Sequence, residues 1–248
     1  MICPRTVFIT GANRGLGLEF VKQFLSLENP PDHLFASCRD PENSVELGKL
    51  KDHKVVKVLK LDVTSQIDIS SAAKEVESRL GGKGLNLLIN NAGMCRKRQY
   101  MGNLNREDLL EQFDTNAIGP LLVTQALLPQ LVKAAESRDD PMSCNKAAIV
   151  NVSSILGSIA ENGTGGMYGY RPSKAAMNMI TKSLHEELKG KGILVSALHP
   201  GWARTDIGGP KAELSAEESI NACMNVLSKL SSDNSGLFMS YNGQVIDW

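Results

Sequence analysis

Thr6-Val7-Phe8-Ile9-Thr10-Gly11-Ala12-Asn13-Arg14-Gly15-Leu16-Gly17 is the stretch whose reading decides the fold. Its first residues form a short apolar and β-branched run without polar alternation, the pattern of a parallel strand buried on both faces. Glycines end the strand at once, and Leu18, Phe20, Val21, Phe24 and Leu25 then mark one side of a helix. A strand, a glycine-rich turn and a helix in succession bring backbone amides and the positive end of a helix dipole to one point, where they suit a pyrophosphate.

Working outward, the same alternation continues. Further strands are expected at Leu34–Ser37, Val55–Leu61, Leu85–Ile89, Ala147–Val152, Leu194–Leu198 and Leu237–Met239. Helices are expected at Glu42–Leu50, Ile67–Leu80, Arg106–Phe113, Gly119–Glu136, Tyr170–Lys189 and Ser215–Leu230, the last capped by Ser215. Strands alternating with helices predict an α/β fold, a doubly wound parallel seven-stranded sheet with helices on both faces. No shift in composition divides the 248 residues, so one domain over 1–248 is expected. Lys+Arg 27 against Asp+Glu 27 leaves no net charge to attract nucleic acid or an anionic membrane, which points to a small-molecule partner or a second copy. The five cysteines are scattered and lack metal-site spacing, so neither a disulfide framework nor a metal centre is indicated. The first apolar run is too short for a secretion signal, and a soluble, cytoplasmic protein is expected.

Chemistry is concentrated in Tyr170-Arg171-Pro172-Ser173-Lys174. Pro172 sets the start of a helix, since proline is tolerated in the first turn and not farther in. Tyr170 and Lys174, four residues apart, share one face. The helix dipole and the ammonium are expected to lower the phenol pKa, making Tyr170 a general acid/base. Tyr168 is excluded as the partner, because Pro172 stands four residues after it. Ser153-Ser154 closes the strand that ends at Val152, on the edge where open α/β sheets bind ligands. His199, at another strand end, reads as a structural histidine. The basic run Arg96, Lys97, Arg98 reads either as solvated or as lying beside a substrate mouth. Trp248 is expected to pack into the substrate region or against a neighbour.

Together these stretches resemble the short-chain dehydrogenase/reductase family. The resemblance rests on Thr10-Gly11-x-x-x-Gly15-x-Gly17, Asn90-Asn91-Ala92-Gly93, Ser154, the Tyr170/Lys174 pair and Pro200-Gly201, in the family's order along the chain. Within the family the chain looks most like sniffer-type or C-factor-like carbonyl reductases, from Gly11–Val21, Tyr168–Lys174, His199–Asp206 and the ending Gly243–Trp248. The resemblance implies a Rossmann fold and a catalytic set of Asn116, Ser154, Tyr170 and Lys174, with Asn116 anchoring a proton-relaying water; its bland alternative is a helix cap. It implies cofactor contacts from Gly11, Asn13, Arg14, Gly15, Leu16, Gly17, Arg39, Asp62, Val63, Asn91, Ala92, Gly93, Tyr170, Lys174, Pro200, Gly201 and Thr205. The alternative for this stretch is that Asp62 or Thr64 only turns the chain or caps the next helix.

NAD-preferring members carry an acid where Cys38 stands, whereas NADP-preferring members place a base where Arg39 stands. A carboxylate there repels a 2′-phosphate and a guanidinium binds it. NADPH/NADP+ is therefore the expected cofactor and a carbonyl compound the expected substrate: a quinone, dicarbonyl, aldehyde or ketone. The alternatives are an NAD(H)-dependent alcohol or steroid dehydrogenase and a non-enzymatic dinucleotide sensor. The family resemblance also allows a homodimer through the helices that follow Asn116 and Tyr170. The segment between Ser154 and Tyr170 is a few residues longer than is common in the family.

Overall fold

The computed structural model describes residues 1–96 and 99–248. The expectation for Lys97 and Arg98 lies outside the described residues. β1 (Thr6–Thr10) is wholly buried. Its successive side chains point to opposite faces of the sheet, which explains the unbroken apolar run: Val7 and Ile9 join one core and Phe8 the other. With β2 (His33–Cys38), β3 (Val56–Lys60), β4 (Leu87–Asn90), β5 (Ala148–Val152), β6 (Leu194–His199) and β7 (Phe238–Ser240) it forms one sheet in the order β3-β2-β1-β4-β5-β6-β7. Every strand pairing is parallel. The strand order reverses between β1 and β4, so the loops leaving these two strands diverge and open a crevice at their carboxyl ends.

Helices cover both faces, as the sequence predicts. On one side α1 (Gly15–Leu25) packs through Phe20, Val21 and Phe24 against Ile220, Cys223 and Leu227 of α7 (Ala216–Leu227). On the other side α3 (Gln66–Leu80) and α5 (Gly119–Glu136) share a core through Val76, Leu80, Leu127 and Leu131, which α6 (Tyr170–Leu188) completes with Leu188. Each such side chain, fully buried, contributes about 1.5–3 kcal/mol. α5 continues from α4 (Arg106–Phe113) through one wide π-turn, Asp114–Ile118. The run Arg106–Glu136 is apolar enough to span a membrane by composition, but half of its most apolar window is buried within the protein.

Several boundaries differ from the sequence reading: α7 ends at Leu227 and not at Leu230, and three other differences have a local cause. The helix expected at Glu42–Leu50 is only α2 (Val45–Gly48), because Asp40 accepts hydrogen bonds from the Asn43 backbone and side chain, and Ser44 bonds back to the Asp40 carbonyl. These local bonds give the backbone a turn in place of a helix. β4 starts two residues late, since the Asn86 side chain accepts the Thr6 N–H that a ladder would otherwise use. Ser65 caps α3, displacing Asp62 and Thr64 from that role. Ser215 caps α7 with a reciprocal Glu218 contact, as expected of that serine. Trp248 stacks on Phe238 of its own chain at 5.6 Å.

Candidate active site

The glycine turn sits directly over the Asn91-Ala92 segment. Thr10 Oγ1 accepts from the N–H groups of Asn91 (3.0 Å) and Ala92 (2.9 Å), and Asn91 Nδ2 donates to the carbonyls of Thr10 and Gly11. Gly11 has φ +66°, and a Cβ there would come within 2.9 Å of Ala92 Cα. At Gly17 a Cβ would lie 2.1 Å from the Gly11 carbonyl oxygen. Glycine is therefore the one residue that lets the start of α1 meet the turn this closely. The first N–H groups of α1 receive no side-chain cap. Uncapped amides at the end of an 11-residue helix, behind a glycine cradle, fit a pyrophosphate.

The flanks of this cradle carry the remaining expected cofactor residues. Cys38 is buried and its thiol faces the Ser44 hydroxyl. Arg39 is exposed with no carboxylate partner among the described residues. Arg14 is ion-paired with Asp206, one residue beyond Thr205. Thr205 lies against the turn, its methyl 3.4 Å from where a Gly15 Cβ would stand. The Asp62 carboxylate accepts from the Thr64 N–H and hydroxyl, so its contacts are those of a turn residue. Val63 is buried, and Pro200 is held through its carbonyl by Ser219.

Ser154, Tyr170 and Lys174 converge at the carboxyl end of β5. All three are nearly buried, at 8%, 7% and 4% exposure, whereas Tyr168 is 39% exposed. Lys174 Nζ donates to the Val152 carbonyl at 2.8 Å and lies 5.9 Å from the Tyr170 ring centre. The Ser153 hydroxyl is committed to Asn178 at 2.6 Å, which leaves Ser154 as the serine facing the phenol. Burial pushes the Tyr170 pKa up, the nearby Cys95 adds to the rise, and the Ser154 hydroxyl opposes it. This reverses the expected lowering: desolvation of a phenolate outweighs the dipole and ammonium on which the sequence reading relied. Burial likewise lowers Lys174 to about 8, with Cys95 acting in the opposite direction. At neutral pH the phenol keeps its proton.

Asn116 stands in the π-turn with its side chain fully buried. Its Oδ1 accepts from Met94 N–H at 2.8 Å, and its Nδ2 donates to Met94 O at 2.9 Å and to Ser173 Oγ at 3.0 Å. It thus ties the segment after β4 to the first turn of α6. A Cβ on Gly93 would lie 3.2 Å from Asn116 Oδ1 and 3.5 Å from Lys174 Nζ, so Gly93 sits between the two. His199 is held neutral, lowered to about 4 by burial, with its ring edge-on to Tyr241 at 6.3 Å.

The family model for short chain dehydrogenases matches residues 5–216. The chain belongs to the short-chain dehydrogenase/reductase family. An NADPH-bound carbonyl reductase from chicken fatty liver is 44% identical and superposes with a TM-score of 0.95 over all of both chains. The carbonyl reductase Sniffer of D. melanogaster is 40% identical with a TM-score of 0.97, over 99% of this chain and all of that one. The C-signal protein of Myxococcus xanthus is 39% identical over 164 residues, 66% of this chain and 93% of its own length. The likeness to sniffer-type and C-factor-like members read from the sequence agrees with these relatives.

Several residues of this short-chain dehydrogenase/reductase site give no sign in the sequence. Arg171 is only 8% exposed, and its guanidinium donates to Thr164 Oγ1 (2.8 Å) and the Leu156 carbonyl (3.4 Å), pinning the segment before Tyr170. Arginine is usually solvent-facing, so the letter alone does not mark a buried residue. Gln99 and Gln112 are buried together beside Gly169. An inward-facing Gln112 in an otherwise polar helix was the available signal, and it is weak.

Proposed function

We propose that this chain is an NADPH-dependent carbonyl reductase acting on quinones, dicarbonyls, aldehydes or ketones, with Tyr170 as proton donor. The observation that carries this reading is the buried, protonated Tyr170 flanked by Ser154 and Lys174. The glycine cradle, the uncapped start of α1 and the exposed Arg39 fit NADPH, and the bound NADPH of the chicken enzyme supports the same choice. NADPH, when bound, supplies the hydride.

Ser154 donates a hydrogen bond to the carbonyl oxygen of the substrate. Tyr170 transfers its phenolic proton to that oxygen as negative charge develops there. The phenolate left behind is stabilised by the Lys174 ammonium, which is protonated below about pH 8. Lys174 also has donors to offer a ribose hydroxyl, and Asn116 fixes the segment that borders both. Proton return to Tyr170 runs past Lys174 and Asn116. Zero net charge and five free thiols suit a cytoplasmic, single-domain enzyme working on small molecules.

The test follows NADPH oxidation against a panel of quinones, dicarbonyls and reactive aldehydes, for wild type and Tyr170→Phe. Wild type should turn over, and faster than with NADH. The variant should lose roughly 10²–10⁴-fold in kcat while binding NADPH with unchanged affinity. A variant that keeps more than a few per cent of the rate would remove Tyr170 from its role. NADPH binding without turnover of any carbonyl would favour the sensor reading.

A further inference from the structure

Two buried amides link α4 to the residues that deliver Tyr170. Gln112, with no exposed surface, donates through Nε2 to Gln99 Oε1 at 3.0 Å and to the Asp108 carbonyl at 2.9 Å; its own Oε1 accepts from Arg96 N–H at 3.0 Å. Gln99 Oε1 accepts a second donor, the N–H of Gly169, at 3.0 Å, and the Gln99 carbonyl accepts from Met167 N–H at 2.9 Å. Met167 has φ +52°, the one non-glycine residue in left-handed backbone among the described residues. Its carbonyl and that of Gly169 in turn accept the N–H groups of Arg171 and Ser173, closing the first turn of α6. The strained turn ahead of Tyr170 is thus held at two donors, Met167 N–H and Gly169 N–H, by one residue, Gln99, through its backbone carbonyl and its side-chain oxygen.

We infer that Gln99 and Gln112 are positioning residues for Tyr170, forming an amide relay that fixes the start of α6 and couples it to the substrate-side segment after β4. The inference rests on the proton-donor reading of Tyr170. The relay has a polarity. Gly169 N–H and Gln112 Nε2 both need an acceptor, so Gln99 must present its oxygen and Gln112 its nitrogen. Among the described residues Gln99 Nε2 has no partner, and the contacts of the side chain run through its oxygen. Gly169 accounts for the space: its backbone is ordinary, φ −91°, yet a Cβ there would lie 2.0 Å from Gln112 Nε2 and 2.7 Å from Gln99 Oε1. An alanine at 169 would push the amides apart without straining the backbone.

The test compares kcat, the KM for NADPH and urea stability for Gln112→Ala, Gly169→Ala, the double variant and Gln99→Leu, with Tyr170→Phe alongside. Each single change should lower kcat about tenfold and leave the KM for NADPH within twofold. The double variant should fall well short of the hundredfold product, because both changes break one contact. Wild-type kcat in the folded single variants, or losses that multiply, would overturn the relay. Should Gln112→Ala fail to fold, Gly169→Ala and Gln99→Leu decide by the same readout. A Tyr170→Phe enzyme that still turns over sinks the proton-donor reading itself. Loss in Tyr170→Phe with full kcat in the relay variants sinks only this inference.

Discussion

The Gly11–Gly17 turn and the Ile155–Gly169 segment both cover the carboxyl edge of the sheet, one beyond β1 and the other beyond β5. The turn is made by backbone: its neighbours are the Gly11 carbonyl and the Ala92 Cα, atoms that cannot swing aside. The Ile155–Gly169 segment is made by side chains, with Arg171, Gln99 and Gln112 holding it from below. The first can be built from a single residue type. The second can be built in many ways, which suits the side of the site that meets varied substrates.

The sharpest way to break this contrast is Gly17→Ala. Its Cβ would meet backbone and nothing can yield, so a loss of about 3 kcal/mol is expected, read as a fall of roughly 6–12 °C in Tm together with weaker NADPH binding. A drop of only a degree or two would mean the turn is as adaptable as the other segment.

On the side-chain-built side, Lys174→Met should raise stability while abolishing turnover. Burial lowers Lys174 from 10.5 to about 8. Below pH 8 the folded state bears the whole cost of the buried ammonium. Between about 8 and 10.5 the unfolded chain binds a proton the folded one has released, so wild-type stability rises with pH and the cost vanishes above. Less about 1 kcal/mol for the bond to Val152, the variant should gain about 2 kcal/mol at pH 7. Urea unfolding at pH 7 and pH 10 should show that gain shrinking, and a gain unchanged between the two would refute it.

Cofactor choice probes the one part of the first region that side chains decide. Arg39→Asp should lower the NADPH-to-NADH ratio of kcat/KM at least about tenfold, near 1.4 kcal/mol. An unchanged ratio would assign the discrimination to Arg14. The smallest effect is expected of Arg171→Met, which replaces a buried cation with no carboxylate partner among the described residues by an apolar chain of similar length. Urea stability should move by less than about 1 kcal/mol in either direction, and a loss of several would make Arg171 a structural pillar.

The same contrast explains what could be read in advance. A backbone constraint leaves its mark in one letter, so the glycine turn was legible in the sequence, as were the alternation of strands with helices and the Tyr170/Lys174 face. Ser154 was marked less by its place after β5, where serine is an ordinary turn residue, than by the company of Tyr170 and Lys174. The direction of the Tyr170 pKa was not, because local sequence shows the dipole and the ammonium but not the depth of burial. Gln99 and Gln112 stand 13 residues apart and meet only through tertiary packing. The helix at Glu42–Leu50 was overdrawn, since apolar spacing does not reveal that Asp40 and Ser44 would bind their own backbone.

The π-turn Asp114–Ile118 has a mechanical consequence. One surplus residue in a helix advances its facing by about 100°. The wide turn takes up that residue, so a strict helical count along the sequence falls out of step across it while the two halves keep their facing, the first turning Gln112 toward the loop before Tyr170 and the second Leu127 and Leu131 into the core under the sheet. Deleting a single residue between Asp114 and Ile118 would leave the rod straight and both halves facing as before, but would remove the wide turn from which Asn116 reaches Met94 and Ser173.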